Sequence, residues 1–263
     1  MNSFNTLLTA AVTTATLSLA AGTASAATLL ALGADGQLFK IDSGSQKVTA
    51  TMATNSPSPL RGIDVRPANG MLYALSNDHQ LHTLDLATGA ASKVASLNKQ
   101  LPGSGQAVID FNPVADKLRM LAADGTSFRV NVETGEVVVD GSVAYAAEGP
   151  YAGKSAKVVA GAYSNAYAGT QATALYTVDL ASSNLMLQNP PNDGIQQAVG
   201  KIVDGLQNAA LDIASDGKGG NTAYLLTGTT LHTLDLATGK PTTLGDIAGL
   251  PGNIIDIAVL PGM

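Results

Sequence analysis

Apolar and polar residues alternate along most of the chain in short runs, each closed by a turn signal built from Gly, Asp, Asn, Thr or Ser. Alternation with a period of two is the mark of β-strands. One such run, Leu81 to Gly89 (L-H-T-L-D-L-A-T-G), returns unchanged at Leu231 to Gly239. Looser copies stand at Leu38 to Gly44, Phe128 to Gly135 and Leu175 to Ser183. In Gln80 to Leu86, Leu81, Thr83 and Asp85 alternate with His82, Leu84 and Leu86, so neither face is purely polar. Such strands belong in sheets packed on both sides. The Gly that ends A-T-G or E-T-G supplies the positive φ of a tight hairpin.

Around each copy a four-strand unit can be marked. The second spans Gly62 to Arg66, Met71 to Ser76, Gln80 to Leu86 and Ala90 to Leu97; the third, Val108 to Asn112, Leu118 to Ala122, Ser127 to Val132 and Glu136 to Val143. The fifth spans Ala210 to Ala214, Thr222 to Thr227, Thr230 to Leu236 and Pro241 to Ile247. The fourth is irregular. Val158 to Tyr163 opens it, while Leu175 to Leu180 and Asn184 to Gln188 fit either inner pair of places. The connection Gln188 to Asp204, with its N-P-P-N-D-G string, reads as a rigid turn.

The first unit has only three strands, Leu29 to Leu32, Leu38 to Ile41 and Lys47 to Met52; the missing innermost strand stands at the other end of the chain, Ile254 to Leu260. Joining the two termini in one sheet closes a ring and leaves only short protected edges. The expectation is an all-β, five-bladed β-propeller with about 47 residues per blade. A six-bladed or open β arrangement is the alternative.

Residues 1–26 read as a secretory signal peptide, with a small, apolar stretch from Leu7 to Ala21 and an A-x-A site at Ala24-Ser25-Ala26. The segment before it carries no Lys or Arg, and the Thr and Ser residues within it make a poor membrane span. Residues 27–263 are expected to form one domain, exported to the periplasm or secreted. Cysteine is absent, which removes disulfides and thiolate chemistry. The net charge of -6 and few basic residues argue against a nucleic-acid partner. No basic amphipathic stretch suggests a membrane surface once the leader is cleaved.

Four strings carry a resemblance: Arg61 to Pro67 (R-G-I-D-V-R-P), Asp110 to Arg119 (D-F-N-P-V-A-D-K-L-R), Phe128 to Gly135 and Gln188 to Gly194. Over nearly the whole mature chain the sequence resembles an uncharacterised family of exported bacterial proteins, known only as a domain of unknown function. The resemblance implies an exported, propeller-like domain and carries no reaction. Fold alone does not choose one.

Candidate chemistry falls in three groups. The first is one aspartate on each of four innermost strands: Asp64, Asp110, Asp212 and Asp256, with Gly161 or Ala162 in that place in the fourth unit. Four carboxylates at one level of a central channel would suit a cation with oxygen ligands, such as calcium. Alternatively each accepts backbone N–H bonds from the neighbouring blade and locks the ring. The second group is Arg61, Arg66, Arg119 and Arg129, whose planar forks suit an anionic ligand or ion pairs to nearby carboxylates. The third is the segment Tyr145 to Tyr167, where Tyr145, Glu148, Tyr151 and Tyr163 could present a face to a small molecule, glycan or protein. His82 and His232 occupy equivalent places in non-adjacent units and read as strand residues.

Two functions follow. One is a non-catalytic exported binding or scaffold propeller that needs no cofactor, with calcium as a stabilising ion. The other is a carbohydrate-active enzyme in which two channel aspartates act as acid and base. The absence of Trp counts against the second.

Overall fold

The computed structural model describes residues 26–261. The expected leader lies outside the described residues except for Ala26. Strands make up 49% of the described residues. They run, in chain order, as β1 (Thr28–Gly33), β2 (Gln37–Asp42), β3 (Lys47–Ala53), β4 (Leu60–Val65), β5 (Leu72–Ser76), β6 (Gln80–Leu84) and β7 (Ala91–Ser96). Then come β8 (Val108–Asn112), β9 (Lys117–Leu121), β10 (Ser127–Val130), β11 (Val137–Val139), β12 (Ala144–Tyr145), β13 (Val158–Tyr163), β14 (Leu175–Asp179) and β15 (Asn184–Gln188). The last are β16 (Ile195–Lys201), β17 (Ala210–Ser215), β18 (Asn221–Thr227), β19 (Thr230–Leu234), β20 (Pro241–Asp246) and β21 (Ile254–Leu260).

They form five sheets: β21-β1-β2-β3, β4-β5-β6-β7, β8-β9-β10-β11, β13-β14-β15-β16-β12 and β17-β18-β19-β20. The inner strands β4, β8, β13, β17 and β21 pack each on the next, and β21 returns to β4. The protein is a five-bladed β-propeller closed by its C-terminal strand, which pairs antiparallel with β1. Inner strands are buried on both faces, as in β4 and β5, whereas outer strands such as β3 and β20 are largely solvated. Four apolar clusters fill four of the five blade interfaces.

The repeated turn does more than reverse the chain. Asp85 Oδ1 accepts the N–H groups of Ala87 and Thr88, and Asp235 does the same for Ala237 and Thr238. This Asx geometry explains the Asp of the repeat. Gly89, Gly135 and Gly239 have φ of 74°, 73° and 73°. Each also lies against the backbone of the preceding blade's outer strand. A Cβ on Gly89 would stand 2.2 Å from the Ala53 carbonyl oxygen, on Gly135 1.9 Å from that of Ser96, and on Gly239 2.5 Å from that of Gly200. The turn glycine is therefore an inter-blade contact as well as a hairpin residue.

The fourth blade corrects one expectation. Only 189–194 form a turn, with a short 3-10 segment at Pro191–Asp193; Ile195–Lys201 is the blade's fourth strand. Its outer position blurs the apolar alternation, with Gln197, Ala198 and Lys201 exposed. Beyond it, β12 adds a short parallel fifth strand.

Candidate functional site

The inner-strand aspartates lock the ring from blade to blade. Asp64 Oδ2 accepts the Phe111 N–H at 2.7 Å, Asp110 Oδ1 that of Tyr163 at 2.9 Å, Asp212 Oδ2 that of Val259 at 2.5 Å, and Asp256 Oδ2 that of Ile63 at 2.8 Å. Asp64, Asp212 and Asp256 also accept the N–H of their own following residue through Oδ1. The fourth blade offers no carboxylate, because Ala162 stands opposite Tyr176 where Asp64 stands opposite Tyr73 and Asp212 opposite Tyr224.

The four carboxylates do not share one level. In the first blade the place of Asp64 is held by Ala258, opposite Leu30 of β1, and Asp256 lies two residues earlier on β21, opposite Leu32. A shift of two residues is one pleat, about 7 Å along the strand. Oxygen atoms of Asp64, Asp110 and Asp212 lie within 4.8 Å of one another; Asp256 is not in that group. It sits beneath them, and a Cβ on Gly62 would meet its Oδ2 at 2.9 Å.

Asp64, Asp110 and Asp212 line the floor of a cavity of ≈ 740 Å³ at the end of the ring where the inner strands finish. Tyr167, Asp216, Asn221 and Pro67 stand in its wall. No Lys, Arg or His lines it among the described residues. Burial pushes all four aspartates up from the ordinary carboxylate range. Repulsion among them adds to this at Asp64, Asp110 and Asp256, and Asp212 is raised from 3.8 to about 6. Such crowding favours either protons or a bound cation.

The donor set fits a hard cation. Asp110 accepts the Tyr163 N–H through Oδ1, and Asp110 lines the cavity. The engaged oxygens of Asp64 and Asp212 each keep a further lone pair for a metal. Three carboxylates with waters drawn from the cavity are compatible with the six to eight oxygens calcium takes.

The arginines are engaged with the protein itself. Arg61, 1% exposed, donates to the carbonyls of Gly105, Leu101 and Pro102. Arg119 bonds Tyr163, Ser127, Asp140 and Asn192, and Arg129 grips the same Asp140 through two nitrogens. This polar network lies between the third and fourth blades, where the apolar cluster is the smallest of the five. Arg66 pairs with Asp116 and Glu133. No nitrogen set on these four side chains converges on a shared anion pocket.

The tyrosine segment divides. Tyr163 is buried in the ring and Tyr167 reaches the cavity wall. Tyr145, Glu148 and Tyr151 do come together, in a smaller cleft of ≈ 230 Å³ on the outer edge of the fourth blade. There Tyr145 donates to Asp179, Asn184 donates to the Tyr151 hydroxyl, and the two rings lie 5.2 Å apart. His82 and His232 are strand residues, hydrogen-bonded to Ser76 and Thr227 respectively.

Five sheets in a ring, with an acidic cavity at one end of the axis, define a β-propeller. The chain belongs to the family described as domain of unknown function DUF4394, whose model matches residues 37–258. No curated protein matches the sequence. A solved protein of unknown function from Bacteroides thetaiotaomicron VPI-5482 is similar at 17% identity and a TM-score of 0.53, over 89% of this chain and 65% of that one. A chain from a nidogen/laminin complex is similar at 11% identity and a TM-score of 0.52, over 90% and 99%. A protein of unknown function from Bacteroides caccae shares 11% identity over 90% of this chain and all of its own, with a TM-score of 0.45. At these identities the two structures with TM-scores above 0.5 speak for the fold alone.

Proposed function

We propose that the protein is an exported, non-catalytic binding propeller that holds a divalent cation, calcium being the best fit, on Asp64, Asp110 and Asp212. One observation carries this reading: three buried carboxylates converge within 4.8 Å on the floor of a cavity with no basic residue among its described lining. The export half rests on the leader-like pattern of residues 1–26. A glycosidase pair needs carboxyl groups free to exchange protons across the scissile bond. Here the oxygens are tied to backbone N–H groups that hold the blades together.

Calorimetric titration of calcium into the mature protein, beside an Asp110→Asn variant, tests the proposal. Asp110→Asn keeps an acceptor for the Tyr163 N–H but removes one carboxylate oxygen and the negative charge. Saturable heat in the wild type, weakened in the variant, supports the site. Equal heats, or none in either protein, would reject it.

A further inference from the structure

At the end of the ring opposite the cavity, one side chain meets the inner strands of three blades. Gln106 Nε2 lies 3.0 Å from the carbonyl oxygen of Val159, 3.1 Å from that of Ala209 and 2.7 Å from that of Ile255. These carbonyls belong to the starts of the inner strands of the fourth, fifth and first blades, whereas the cavity lies at their finishing ends. An amide carries two hydrogens, so one is shared between two carbonyls. From Ala209 to Asp212 is three residues, which puts Gln106 about 10 Å below the carboxylate floor. Asp256 lies between.

The remaining two blades deliver the plug. Gln106 ends the loop between β7 and β8, so the third blade's inner strand begins just after it. The second blade holds that loop down: Arg61 caps the carbonyls of Leu101, Pro102 and Gly105, and the Arg61 carbonyl accepts the Ala107 N–H at 2.9 Å. Leu101 is fully buried in the core between these blades. A buried guanidinium spent on three loop carbonyls is a costly arrangement unless the loop has to be held in place.

We infer that Gln106 is the axial seal of the propeller, with Arg61 as the residue that positions it, so that the channel is open only on the carboxylate side. Closing one end keeps water from threading the ring past Asp256 and the inner-strand amides. If the proposed cation site holds, it also leaves the ion a single route in and out; this second part rests on the proposed function, and the first does not.

Hydrogen–deuterium exchange separates the two. Strand peptides carrying the amides of Ile63, Phe111, Tyr163 and Val259 are compared in the wild type, Gln106→Ala and the milder Gln106→Asn. The seal is expected to yield exchange at least about tenfold faster at these inner strands in Gln106→Ala, smaller in Gln106→Asn, with outer strands unchanged. Unchanged inner strands in both variants would overturn it. An equal rise in every strand would also overturn it, since it would make Gln106 a general stabiliser. Calcium release into a fluorescent chelator is measured on the same proteins. Faster release with faster inner-strand exchange supports both parts. Calcium binding absent from the wild type, with the exchange pattern intact, removes the cation and leaves the seal.

Discussion

Raising the pH with no divalent cation present should weaken this protein, and the carboxylate stack sets the size of the effect. Asp212 is raised from 3.8 to about 6 by burial. A carboxyl whose folded value lies above its unfolded one binds more protons when folded between those two values. Its favourable contribution is therefore complete below about pH 4, falls as pH rises through 4 to 6, and is gone above that. Roughly two units at 1.36 kcal/mol each is about 3 kcal/mol from Asp212 alone. For a domain of this length that corresponds to roughly 6–12 °C in Tm. Asp64, Asp110 and Asp256 are displaced in the same direction and add to the trend. Asp42, Asp85, Asp116 and Asp216 are lowered by their hydrogen bonds and lose their contribution only in more acidic solution. Between pH 5 and pH 7.5 Asp212 loses about 1.4 kcal/mol of this, roughly 3–6 °C. His82 and His232, lowered by burial, act in the opposite direction, so the comparison with an Asp212 variant isolates the raised group. The assay is thermal unfolding followed by circular dichroism in EDTA across that interval, for the wild type and Asp212→Asn. A Tm that falls with pH in the wild type and falls less in the variant is expected. Equal pH slopes in the two proteins would refute the reasoning.

The other expectations concern the frame. Gly89→Ala and Gly70→Ala both place a Cβ at positive φ, but only Gly89 meets the neighbouring blade, at the Ala53 carbonyl; nothing lies within 4 Å of Gly70. Gly70→Ala should cost about 1–2 kcal/mol from backbone strain and Gly89→Ala clearly more, measured by urea unfolding. Equal losses would remove the inter-blade role of the turn. Asp140→Ala leaves the buried Arg119 without its carboxylate and should cost about 3–5 kcal/mol in the same assay. Deleting residues 254–263 removes the inner strand of the first blade and should abolish the cooperative melt. A two-state transition retained by the truncated chain would contradict closure through β21.

Much of this architecture was legible because each blade repeats its own local pattern. The L-H-T-L-D-L-A-T-G phrase marks the third strand and its turn, and the chain's ends each lack what the other supplies. Asp64, Asp110 and Asp212 were likewise visible as one residue at one repeat position. The displacement of Asp256 was hidden because I-D-I at 255–257 looks locally like I-D-V at 63–65. The level is set by pairing with β1, where Leu30 to Leu32 correspond to Tyr73 to Leu75 and place Ala258, not Asp256, beside the others. Aligning L-L-A-L at 29–32 with L-Y-A-L at 72–75 carries that signal. The strand at Ile195–Lys201 was obscured by its two glutamines, which face solvent or buried hydrogen-bond partners and break the alternation. Gln106 gave no signal of any kind. It sits in the connection from β7 to β8, outside the repeated strand pattern, and its role exists only where three distant carbonyls meet. The arginines were visible as a cluster, but whether they serve a ligand or the frame depends on partners 40 or more residues away in sequence, such as Leu101 for Arg61 and Asn192 for Arg119.

The most direct test of a cation on the axis is a crystal of the mature protein grown with calcium, and a second with terbium, each examined for anomalous scattering. The expected result is one peak between Asp64, Asp110 and Asp212, with oxygens at about 2.3–2.6 Å in the calcium form. An empty floor at full calcium, with the carboxylates bonded only to the backbone, would contradict it.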